Sequence, residues 1–143
     1  MINLQILLRM ALCTPTLLLL SCEQSERPGE VETFDGIADD DVINLVGTEP
    51  FWSMEIKQGL LLYTTPVIPG EPRYCRHFAG NNGLGISGEL GSEALQIAVT
   101  PGECSDGMSD RTYPFTATVS LAEQQLNGCG YTSSTPFSGD PAP

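Results

Sequence analysis

The 143 residues carry 18 acidic side chains against six basic ones, a formal charge of −12. A field of that sign repels nucleic acid and anionic lipid surfaces, which excludes both as favoured partners. The length suffices for one compact domain and hardly for two.

In chain order, Arg9 is followed by an apolar run over residues 10–20 that Pro15 interrupts. The run falls short of the ~20 residues a spanning helix needs, and has the size of a signal-peptide apolar region. It ends in Leu19-Leu20-Ser21-Cys22, which resembles the lipobox of bacterial lipoprotein precursors. That resemblance implies a signal peptide over residues 1–21, cleavage before Cys22, a diacylglyceryl group on the Cys22 thiol and a palmitate-type acyl group on the new amino terminus. Each buried methylene contributes ~0.8 kcal/mol, so two or three chains would hold the protein on a membrane. Glu23 in the next position points to the outer membrane, with the protein facing the periplasm. After the cut all 18 acidic residues face five basic ones, a net charge of −13.

Residues 22–44 read as an acidic tether. Asp39, Asp40 and Asp41 keep it solvated, and Val31, Phe34 and Ile37 are too few to offset the entropy of ordering. A β domain follows over residues 45–131. Trp52, Met54 and Ile56 alternate with polar neighbours, and Lys57-Gln58-Gly59 turns the chain into Leu60-Leu61-Leu62-Tyr63. Strands are predicted around Tyr74 to Phe78, Leu84 to Leu90 and Leu95 to Val99. Tyr113, Phe115, Ala117, Val119 and Leu121 form the cleanest period of two. Asn127-Gly128 either bulges the last strand or turns it. Gly and Pro punctuate at intervals of about ten residues, the spacing of an all-β antiparallel barrel or sandwich of six to eight short strands. Residues 132–143 have the Ser, Thr, Pro and Gly character of a disordered tail.

Export leaves Cys75, Cys104 and Cys129 in an oxidising compartment, where three cysteines make one disulfide and one leftover thiol. Cys104 and Cys129 flank the strongest strand and are the favoured pair, worth about 3.5 kcal/mol by loop closure. A bridge to Cys75 is open at this point.

Several constellations invite a functional reading. Gly83-Leu84-Gly85-Ile86-Ser87-Gly88 spells a dinucleotide fingerprint, but alternation runs through it and no helix opens, so a twisted strand or close backbone approach fits better. His77 is the sole histidine, two residues from Cys75 on one strand face, too little for a triad or a zinc site. Residues 103–111 offer Glu103, Asp106 and Asp110 without the spacing of a calcium loop. An Asx turn at Asp106 and a fork from Arg111 to a local carboxylate are the structural reading. No catalytic residue, cofactor or metal site is expected.

Gly47-Thr48-Glu49-Pro50-Phe51-Trp52, Cys104-Ser105-Asp106-Gly107-Met108-Ser109-Asp110-Arg111-Thr112-Tyr113-Pro114-Phe115 and Leu126-Asn127-Gly128-Cys129 together resemble an uncharacterised family of bacterial envelope lipoproteins. Some of its relatives carry a domain similar to a lysozyme inhibitor. A fainter similarity is to the META/HslJ-like domain of heat-shock lipoproteins. The resemblance implies a small β domain with Cys104 paired to Cys129, and no activity. The functional expectation is a non-catalytic envelope lipoprotein whose β module binds a small ligand or a cationic protein. Its recognition surface is expected where the entry to the Trp52 strand meets residues 104–113, built from Glu49, Trp52, Asp106, Met108, Asp110, Arg111 and Tyr113. For Trp52 an ordinary core position competes with that role. The alternative function, from another class, is inhibition of a cationic cell-wall hydrolase, steered by charge.

Overall fold

The computed structural model describes residues 33–140. The segment expected to be a signal peptide and the expected lipidation site Cys22 lie outside them. Eight antiparallel strands follow one another: β1 Ile43–Thr48, β2 Phe51–Lys57, β3 Leu60–Thr64, β4 Pro72–Ala79, β5 Leu84–Leu90, β6 Glu93–Ser105, β7 Thr112–Leu121 and β8 Gln124–Thr132. Each pairs with its sequence neighbours and β1 closes on β8, giving an up-and-down barrel with no helix among the described residues. Closure leaves no open sheet edge, the usual liability of a small β protein.

The period of two explains the interior. In β2, Trp52, Met54 and Ile56 are buried while Phe51, Ser53 and Glu55 are exposed. Register then aligns inward residues into layers, such as Ile86, Ile97, Val119 and Leu126 across β5 to β8. Gln58 and Gly59 both take positive φ (51° and 77°), the conformation that two-residue hairpins demand.

Asn127 and Gly128 neither bulge nor turn the last strand; they stay in the ladder opposite Thr118 and Ala117. The glycine supplies space. A Cβ on Gly128 would run into the carbonyl oxygen of Val46 and come within 2.8 Å of Trp52 Cζ2. Gly130 likewise leaves room for Leu45. In β5 the ring of Phe78 lies over Gly85, and a Cβ on Gly88 would meet the carbonyl of Tyr74 at 3.1 Å, so the fingerprint glycines serve close approach.

The domain is longer at both ends than the composition implied. Ile37 belongs to the core, with Phe34 packed against it, and the Phe34 N–H donates to Gly80 O at 2.8 Å. Residues after Thr132 are also folded: Thr112 and Ser138 exchange two backbone hydrogen bonds of 2.9 Å. Asp41, only 6% exposed, joins the two ends. It accepts from Ser133 Oγ at 2.7 Å, Ser134 N at 3.0 Å and Ser134 Oγ at 2.7 Å. Burial alone would raise its pKa, but the bonds from Ser134 and Ser133 outweigh that and hold it at about 2. A few apolar residues cannot build a core, yet they suffice to extend one that exists, which is why residues 33–44 and 132–138 are not the tether and tail their composition suggests.

Candidate functional site

The site begins with β6, which runs to Ser105, so the connecting loop is residues 106–111. A register shift between Pro101 and Cys104 bulges the strand and bends its end. There Cys104 bonds Cys129 with Cα atoms 5.5 Å apart. Cys129 alternates with Gly128 and Gly130, which leave space for Trp52 and Leu45 inside, so its sulfur projects from the other face of β8. The disulfide thus pins the end of β6 outside the barrel wall. Cys75 stays free and buried, and burial pushes its thiol above the usual range, the reverse of an activated nucleophile.

Asp106 organises the loop. Its Oδ1 accepts the N–H groups of Met108 and Ser109, both at 2.9 Å. Its Oδ2 accepts Ser109 Oγ at 2.8 Å and Tyr113 OH at 3.1 Å. The N–H of Met108 lowers its pKa most, and despite partial desolvation the carboxyl sits at about 2. This is the Asx turn the residues implied, and it leaves the carboxylate saturated. Gly107, at φ 70°, makes the turn feasible. Thr48 Oγ1 donates to Asp106 O at 3.3 Å and ties the loop to β1.

Arg111 departs from expectation. Among the described residues it meets no carboxylate: its guanidinium lies 4.4 Å from the ring centroid of Phe137, and its Nε donates to Asp140 O at 3.5 Å. The local carboxylate, Asp106, is already filled by four donors. Phe137 packs on Tyr113 and Tyr131 with centroids 5.6 and 5.1 Å away, so the C-terminal segment buttresses the loop from behind. Burial raises the Tyr113 hydroxyl above its ordinary pKa and keeps it a donor.

These elements enclose a groove of about 600 Å³ between residues 46–53, residues 64–66 and the 106–113 segment. Five of the seven expected binding residues line it: Trp52, Asp106, Met108, Arg111 and Tyr113. Glu49 and Asp110 do not; both are exposed, Glu49 in the β1–β2 turn and Asp110 with its backbone carbonyl against Gly139. The outward row Val46, Ser53 and Thr64, aligned by register, also lines it. Phe51 and Met108 stand at its rim, 53% and 67% exposed. Phe51 was legible in principle: two large apolar residues in succession on an alternating strand cannot both face inward.

Trp52 has two aspects. It is a core residue, 3% exposed, and its ring fits only because Gly47 and Gly128 lack side chains. Yet its Nε1 is the single buried side-chain polar atom without a hydrogen-bond partner among the described residues. That atom lies against Gly47, which itself lines the groove. A buried N–H with no acceptor costs about 1–3 kcal/mol. The atom is itself enclosed, so an acceptor would reach it only past the bare backbone of Gly47.

The fold and groove define a class, a small closed β-barrel with a lateral cleft. Comparison with protein-family models, with curated proteins and with solved structures finds no match.

Proposed function

We propose that this is a non-catalytic lipoprotein of the bacterial envelope, anchored through Cys22, whose barrel binds a ligand in the groove between β1–β3 and residues 106–113. The lipobox-like residues and the motif resemblance support the location. One observation carries the binding role: the unpartnered Trp52 N–H beside a mostly apolar groove that Phe51 and Met108 flank. A buried donor is tolerated in evolution's hands when something else supplies its acceptor. The ligand therefore has an apolar body and at least one acceptor atom.

Trp52 is the chain's sole tryptophan, so its fluorescence reports the groove directly. Titrating the full chain with fractionated envelope extract should shift the emission, and Met108→Glu at the exposed rim should abolish the shift while the melting temperature stays unchanged. An emission unmoved by every fraction would refute the reading. The charge of −12 favours a second reading, inhibition of a cationic cell-wall hydrolase such as lysozyme. Its signature is inhibition at low salt that disappears as salt rises.

A further inference from the structure

Resting on the groove as the binding site, we propose that its ligand is an apolar monocarboxylate, with the carboxylate set against Arg111. The donors and acceptors on the walls are out of balance. Asp106, the sole carboxylate lining the groove, already accepts from Met108, Ser109 and Tyr113 and has no capacity left for a ligand. Arg111 has five N–H donors; one reaches Asp140 O at 3.5 Å and the guanidinium also bears on the Tyr113 hydroxyl, so the rest are open to a ligand. Trp52 adds a buried N–H with no partner. The Asp106 and Arg111 charges offset each other, yet the Asp106 carboxylate is spent on its own loop's donors, so what the wall offers a ligand is the spare donors of Arg111, which select an acceptor-rich head group.

The apolar part follows from Val46, Phe51, Pro66 and Met108, which present hydrocarbon along the same cleft. A ligand with a long chain and one anionic head satisfies both halves. The net charge of −12 opposes any anion at a distance. Screening limits that repulsion to about 8 Å at physiological salt, whereas a charge-assisted hydrogen bond to Arg111 acts at contact and is about twice as strong as a neutral one. Arg111 is held in place from behind by the Phe137 ring, so little side-chain freedom is lost on binding.

Octanoate, octanol and octyltrimethylammonium share a chain and differ in the head. Each is titrated into the full chain with Trp52 emission as readout, at 0.15 M and 0.5 M salt. Octanoate should bind about tenfold more tightly than octanol, and no more weakly at the higher salt. Arg111→Gln should erase the preference and Arg111→Lys retain part of it, with thermal melting confirming that both variants fold. Equal affinity for octanoate and octanol overturns the carboxylate inference and leaves the groove intact as a site for apolar ligands. Preference for the ammonium compound also overturns it, since the global field would then dominate. Failure of all three to move Trp52, while envelope extract does, overturns the ligand class alone; failure of extract as well removes the groove reading beneath it.

Discussion

Replacing Asp106 by Asn separates the charge of the loop's organising residue from its shape. The amide keeps the carbonyl oxygen that accepts Met108 N and Ser109 N, and presents an NH₂ group to two hydroxyls, Ser109 and Tyr113, that can rotate to accept it. What disappears is charge assistance. The carboxyl sits at about 2 in the folded protein against an ordinary 3.8. At 1.36 kcal/mol per pKa unit, and discounted because Asp106 is only half-buried, that is worth about 1–1.5 kcal/mol. Because the folded pKa is depressed, this stability is complete above the unfolded value near 4 and is lost as pH falls through about 2. Urea unfolding at pH 7 should therefore place the Asp106→Asn midpoint about 0.5–1 M below wild type. The gap should close on going from pH 5 to pH 2, and Asp41, common to both proteins, cancels from the difference. A gap that persists undiminished at pH 2.5, or is absent at pH 7, would show that the carboxylate's charge does not hold the loop.

Two further substitutions probe how the groove is supported. Changing both Cys104 and Cys129 to Ser should lower stability by about 3.5 kcal/mol and weaken any ligand seen through Trp52, because the bend of β6 loses its pin; an unchanged melting temperature after reduction of the wild type would argue otherwise. Gly128→Ala sets a methyl group against the Val46 carbonyl and the Trp52 ring, where backbone cannot yield, and should cost about 2–3 kcal/mol with a displaced Trp52 emission. A variant with wild-type melting and emission would mean that the barrel can relax around the methyl group.

The groove is assembled from pieces far apart in the chain, which bears on its mechanics. The barrel wall gives a rigid floor, while the loop is held by a disulfide on one side and by the aromatic trio of Tyr113, Tyr131 and Phe137 on the other. A site so braced before binding loses less entropy when a ligand arrives than a mobile loop would.

Much of this molecule is written locally. Alternation in residues 52–56 and 113–121 fixes which side chains face inward, because successive residues of a strand point to opposite faces whatever the partner strand. Cys104 and Cys129 flank that second strand, and the Asx turn at Asp106 is a contact between residues two and three apart. Those features follow from nearest neighbours and could be read from the residues alone. Contacts between distant segments could not. The period of two does not say that β1 closes on β8, that Thr48 meets Asp106 58 positions away, or that Asp41 binds Ser134 93 positions away. Nor does it reveal that Arg111 turns to Phe137 because the nearby carboxylate is filled. Register, bulge and closure set these pairings through the packing of the whole barrel, so only Trp52, Asp106, Met108, Arg111 and Tyr113 of the groove were nameable in advance, while the outward row Val46, Ser53 and Thr64, the unsatisfied Trp52 N–H and the spare donors of Arg111 exist only in the folded chain.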